Sequence, residues 1–261
     1  MKPDRNVTGV KCRSVIAMVP FIKKSCCEDV SRGWLPPLDV PGLVIYQSFS
    51  ALCLLLATTA VSMAGLDPAR LTAAGDNAPA ISAFADEATK KFGEPGTKAA
   101  AFLVAGMPAA DLRALTKDLL LGNLALAFGT RQAFPWAKQV PDDLFLDYVL
   151  PHAQLDEPRD PWRSEFRESC GEIVRDCKTA TEAAQAINRT LFKQIGVKYS
   201  TKRHRPNQSP KESIAQGLAS CTGLSIILAD ACRSVGIPAR VAGTAMWTNK
   251  SGNHTWVEVW D

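Results

Sequence analysis

The sequence predicts an α+β fold. From residue 66 to about 195 apolar side chains recur at three-and-four spacing, the helical period, whereas residues 239–260 alternate with the strand period of two. Between them an apolar helix over about 221–235 stops at Gly236, with Pro238 beyond it, which sets a helix directly before the strands. A length of 261 residues allows one or two domains, and 46% hydrophobic against 21% charged residues exclude a wholly disordered chain. The net charge of +4, from 30 basic and 26 acidic residues spread along the chain, gives no ground for nucleic-acid binding. With three histidines and no C-x-x-C or H-E-x-x-H spacing, neither a metal nor another cofactor is expected.

Residues 1–41 read as a poorly ordered preface, because W-L-P-P-L-D-V-P-G at 34–42 cannot form helix. Residues 42–66 carry no charge, and about 20 apolar residues suffice to span a bilayer, so this stretch reads as a signal or signal-anchor helix. Lys2, Arg5, Lys11, Arg13, Lys23, Lys24 and Arg32 precede it, which leaves the remainder outside the cytoplasm, exported or held at the membrane through 42–66 if uncleaved. Ser62 and Ala64 offer the small residues of an export cleavage site, and a signal lying this far from Met1 suggests a start at Met18 or later, or an anchor.

Residues 67–178 are expected to be a helical region. Pro108 to Phe128 reads as one helix bearing Leu112, Leu115, Leu119, Leu120, Leu124 and Leu126, weakened or ended at Gly122 and Gly129. Further helices are expected over Asp142–Val149 and Trp162–Val174, the latter leaving Cys170 and Cys177 about 10 Å apart and too far to bridge. Thr179 and Glu182 form a capping box that opens a helix to Ile195, closed by Gly196. Lys202 to Pro210 reads as a solvated polar loop.

The chemistry concentrates in residues 179–261. Cys221 opens the apolar helix, where unpaired amides and the positive end of the helix dipole favour thiolate over thiol, and the small Ala219, Ser220, Thr222 and Gly223 leave room for a carbonyl. Cys232 lies inside the same helix and reads as structural. Residues 239–247 and 254–260 read as two strands joined by a turn at Thr248 to Asn253. His254 begins the second strand, with Trp256 and Glu258 on its own side, from where it is expected to face the cysteine helix and take the thiol proton.

S-C-T-G at 220–223, G-I-P-A-R at 236–240 and N-H-T-W-V-E-V-W at 253–260, in this order and spacing, resemble the core of the transglutaminase-like superfamily. The stretches 135–151 and 160–163 are more weakly similar to the helical preface of some bacterial members. The resemblance implies a papain-like core over residues 179–261, in which a cysteine-bearing helix packs on an antiparallel sheet. It also implies a protein or peptide substrate, with Cys221 as nucleophile and His254 as general base and later acid. The Cys221 amide would be the first oxyanion donor and Gln216 a second.

The family's third catalytic member is an Asp further along, on the next antiparallel strand. Asp261 follows His254 by seven residues, an odd offset that puts it on the opposite strand face and more than about 20 Å away. Glu258 has the right parity but lies about 13 Å along. The sequence is therefore expected to end inside the catalytic core, with the sheet incomplete. Attack on an amide or acyl carbonyl, followed by transfer to water or an amine, is the leading expectation. The alternative is a binding or scaffolding protein that keeps the fold without turnover, and a redox role lacks any C-x-x-C support.

Overall fold

Helices form where caps and apolar stripes coincide. In the computed structural model, which describes residues 65–248 and 251–261, α1 (Pro68–Ala74) starts at Asp67, whose carboxylate accepts from the Ala69 amide at 2.8 Å. Helix α2 (Ala78–Gly106) bends sharply at Gly93, where φ is 63°, and the hydroxyls of Thr89 and Thr97 meet at 2.9 Å across the bend. Then follow α3 (Ala109–Ala114), α4 (Lys117–Ala133) and α5 (Asp142–Tyr148). The preface 1–41, and all but the last two residues of segment 42–66, lie outside the described residues. Among the described residues no helix is long and apolar enough to cross a membrane.

The single helix expected over 108–128 is two. Leu115 is extended and the Thr116 hydroxyl accepts from the Leu119 amide at 3.2 Å, which starts a new helix. That helix runs on through Gly122 and Gly129 to Ala133. At Gly129 an added Cβ would lie 3.2 Å from the Arg167 guanidinium, which hydrogen-bonds the Leu126 and Gly129 carbonyls. Leu112, Leu115, Leu120 and Leu124 are buried with Ile81, Phe84, Leu103 and Phe145 in a first core.

A second core is built from α6 (Trp162–Ile173), α7 (Ala180–Gln194), β1 (Lys198–Tyr199), β2 (Leu218–Ala219), α9 (Cys221–Ser234), β3 (Ala239–Thr244) and β4 (His254–Val259), while α8 (Pro210–Gln216) lies against α9 and β2. The architecture is α+β. Helix α9 is buried at every residue from Gly223 to Ser234 and lies between α6 and α7 on one side and the antiparallel β3–β4 pair on the other. The register runs from Ala239 opposite Val259 to Thr244 opposite His254. A short parallel pair sets Tyr199 opposite Ala219. The stretch expected to be polar loop ends where α8 begins, because Ser209 and Glu212 form a full capping box with Pro210 at the first helical position. At α7 the box is half made: the Thr179 hydroxyl accepts from the Glu182 amide, but Glu182 reaches the Lys178 amide instead of that of Thr179.

The two cores are joined by buried polar contacts. The guanidinium of Arg163, 2% exposed, donates to Asn123 Oδ1 and to the carbonyls of Val149, Leu150, Pro151 and Arg233. Within the second core, Trp136 Nε1 donates to the Val235 carbonyl at 2.9 Å. Gly236, with φ of 76°, closes α9 beside them, and an added Cβ there would lie 2.6 Å from Ala137 Cβ and 2.8 Å from Thr130 Cβ.

Candidate active site

Position 221 is set by the cap of α9. The Ser220 hydroxyl accepts from the Gly223 amide at 2.9 Å, and the Ser220 carbonyl accepts from that of Leu224 at 2.9 Å. The amides of Cys221 and Thr222 stand ahead of these, at the end of the helix where no intrahelical carbonyl is available. Gly223 has little space to spare, since an added Cβ would lie 3.1 Å from that of Ala219. The thiol of Cys221 is half-buried, unlike those of Cys170 and Cys232. Burial pushes the Cys170 thiol up to about 12 and that of Cys232 further still, so both are inert at neutral pH. Cys177 lies beyond the end of α6, and all four are free thiols.

Strand β4 brings the histidine motif to the same end of the molecule. The hydroxyls of Thr222 and Thr255 lie 3.0 Å apart, so the first turn of α9 touches the first residues of β4. Gly243 permits this pairing of strands, as an added Cβ would stand 2.8 Å from the His254 carbonyl oxygen. Thr255, Val257 and Val259 share the face that meets α9, with both valines buried in the second core. His254, Trp256 and Glu258 occupy the alternate register. The imidazole of His254 stacks on Trp247 and on Trp256, with ring centroids 5.7 and 6.3 Å away. Within the connecting loop the Trp247 amide donates to the Gly252 carbonyl at 3.0 Å.

The remaining polar residues have other partners. Gln216, expected as an oxyanion donor, gives its Nε2 to the Lys202 carbonyl and accepts on Oε1 from the His204 amide and from Gln208 Nε2, each at 3.1 Å. It holds the neighbouring loop. Glu258 Oε2 accepts from Arg240 Nε and Nη2, and its Oε1 from Trp256 Nε1 at 3.3 Å. The Asp261 carboxylate accepts from the Thr181 hydroxyl. Among the described residues no cluster of His, Cys, Asp and Glu could hold a metal ion.

Two buried acidic sites went unnoticed in the sequence. Asp230 on α9 accepts from Gln154 Nε2 at 2.8 Å, and burial pushes its carboxyl up to about 8. Asp111 accepts from Arg159 and lies 3.1 Å from His152 Nε2; burial raises it, but these partners outweigh burial and hold it below the usual carboxylate range. No local motif marks either site, since each is assembled by segments 41 to 76 residues apart.

Residues 167–261 match the family model described as the transglutaminase-like superfamily, which takes in α7, α9 and both strands of the β3–β4 pair. Neither the curated proteins nor the solved structures gave a match.

Proposed function

We propose that residues 167–261 form a thiol-enzyme centre that cleaves or transfers amide-linked acyl groups, with Cys221 as nucleophile and His254 as its base. The observation that carries this is the Thr222–Thr255 contact, which sets the residues directly after Cys221 and His254 side by side within the transglutaminase-like segment. His254 belongs to the register opposite Thr255, so it does not face the cysteine helix as its place at the strand start suggests, and in this reading the imidazole has to reach the thiol around the end of β4. In the forward step the Sγ proton passes to the imidazole and sulfur bonds to the carbonyl carbon, the oxyanion resting on the Cys221 amide. The C–N bond then breaks, the amine leaves with the proton from the imidazolium, and a thioester remains. Water or a second amine attacks it and gives a proton to His254, the C–S bond breaks, and the sulfur leaves as thiolate paired with the imidazolium. The uncharged segment 42–66 supports a site of action outside the cytoplasm.

A second reading, a binding protein that keeps this fold without turnover, draws support from the carboxylates. Glu258 and Asp261 are taken up by Arg240, Trp256 and Thr181. In serine enzymes an orienting acid is worth about 10⁴-fold in rate, and neither of these two carboxylates is turned to that role. Alkylation of Cys221 by iodoacetamide, followed across pH by mass spectrometry of its peptide, separates the two. A reactivity plateau reaching down to about pH 6 and lost in His254→Ala supports the enzyme. Reactivity that rises only above about pH 8, as for an ordinary thiol, overturns it.

A further inference from the structure

The segment joining β1 to α8 closes over the N-terminus of α9. The Ser200 amide donates to the Ala219 carbonyl at 2.9 Å, and the Ser220 hydroxyl donates to the Pro206 carbonyl, so the loop is tied to the two residues before Cys221. Between those ties the Gln216 side chain clamps the backbone at Lys202 and His204. The loop's shape is thus fixed next to the thiol by side-chain contacts.

Its charge is one-sided. Residues 198–211 read K-Y-S-T-K-R-H-R-P-N-Q-S-P-K, with Lys198, Lys202, Arg203, Arg205 and Lys211 and no Asp or Glu. The carboxylates that the fold brings to it meet its second half: Glu212 pairs with Arg205, Asp156 accepts from Asn207 Nδ2, and Asp160 accepts from the Lys211 amide. Among the described residues no ion pair involves Lys202 or Arg203. Arg203 Nη1 donates to the Thr201 carbonyl at 2.9 Å, which holds the side chain without neutralising it. A loop tied to the residues before a reactive group and carrying two cations without an ion-pair partner favours an anionic partner and repels a cationic one.

We infer that Lys202 and Arg203 form an anion-recognising rim of the Cys221 centre, and that its substrate is a peptide or protein segment with Asp or Glu near the amide attacked. The choice of a peptide rests on the thiol-enzyme reading above. The binding itself needs no working thiol.

The test uses the full chain carrying Cys221→Ala and fluorescence anisotropy with a fluorescein-labelled peptide of alternating Glu and Ala, set against its Gln counterpart. The Glu peptide binds about tenfold more tightly at low salt, and the preference shrinks as the screening length falls to about 10 Å at 0.1 M salt. Adding Lys202→Glu and Arg203→Glu abolishes the preference. Adding Lys90→Glu and Lys91→Glu instead, the same change of net charge on exposed residues of α2, keeps it. Equal binding of the two peptides, or equal loss in both charge variants, overturns the inference. So does binding of polygalacturonate without binding of the Glu peptide, which would assign the rim to an anionic glycan. Circular dichroism establishes that each variant is folded, and the iodoacetamide profile of the unsubstituted thiol judges the enzyme reading separately.

Discussion

Glu258 and Arg240 face each other across β3 and β4, and a single carboxylate oxygen, Glu258 Oε2, accepts from both Arg240 Nε and Nη2, at 2.9 and 2.7 Å. The acid with the right strand parity to serve His254 is thereby directed along the sheet toward a cation. Glu258→Gln is expected to leave the pH profile of Cys221 alkylation in place. Because the Arg240 side chain is 48% exposed, the lost ion pair should cost no more than about 1 kcal/mol in urea unfolding.

Asp230 gives a pH signature to stability. Its folded carboxyl is raised from 3.8 to about 8, so between these values the native state holds a proton that the unfolded chain has released. Stability from this group is complete below about pH 4 and falls as pH rises toward 8, with a limiting slope of about 1.4 kcal/mol per pH unit. Asp230→Asn keeps an acceptor for Gln154 and carries no titration. The difference between wild type and variant in urea unfolding should therefore grow in the variant's favour from pH 5 to pH 8. A difference independent of pH would refute the assignment.

Arg163 binds the two cores together. Burial pushes its guanidinium down to about 9, and Asn123 with four carbonyls offsets the desolvation. Arg163→Met leaves buried carbonyls unsatisfied and is expected to destabilise by about 3 kcal/mol or more. Arg163→Lys supplies a charge without the planar fork and should recover only part of that. Urea unfolding monitored by tryptophan fluorescence measures both.

Gly236→Ala tests whether the G-I-P-A-R motif serves packing. The added methyl meets Ala137 and Thr130 at less than 3 Å, and φ of 76° disfavours any side chain. Together these should cost roughly 2–5 kcal/mol, read as a lowered urea midpoint. An unchanged midpoint would show that the turn can shift freely.

The elements legible in the sequence were those fixed by local chemistry. Helix α9 was readable at both ends, from the small residues around Cys221 and from Gly236 with Pro238, and β3 and β4 were readable from their alternation. The break at Leu115–Thr116 was hidden because the leucine stripe continues across it, and only the Thr116 cap marks the new start. The start of α8 is marked only by the capping sequence S-P-K-E at 209–212, directly where the polar loop ends, and its short length leaves no apolar period to read. For the site, the sequence marked Cys221 and His254 by motif, but it carried no sign of the Thr222–Thr255 contact, which depends on how β4 lies against α9. Gln216 was misjudged from its nearness to Cys221; its amide partners come from residues 8 to 14 positions earlier.

The ties at the far end of α9 bear on how the protein can be cut. Val235 gives its carbonyl to Trp136, Arg233 gives its own to Arg163, and Trp136, Trp162 and Phe166 all lie in the same core as α9. A recombinant piece trimmed to residues 167–261 would forfeit all four partners and expose the apolar flank of its central helix. The smallest autonomously folding unit must therefore begin well upstream of the family segment, early enough to include Trp136, and expression trials should choose their boundaries accordingly.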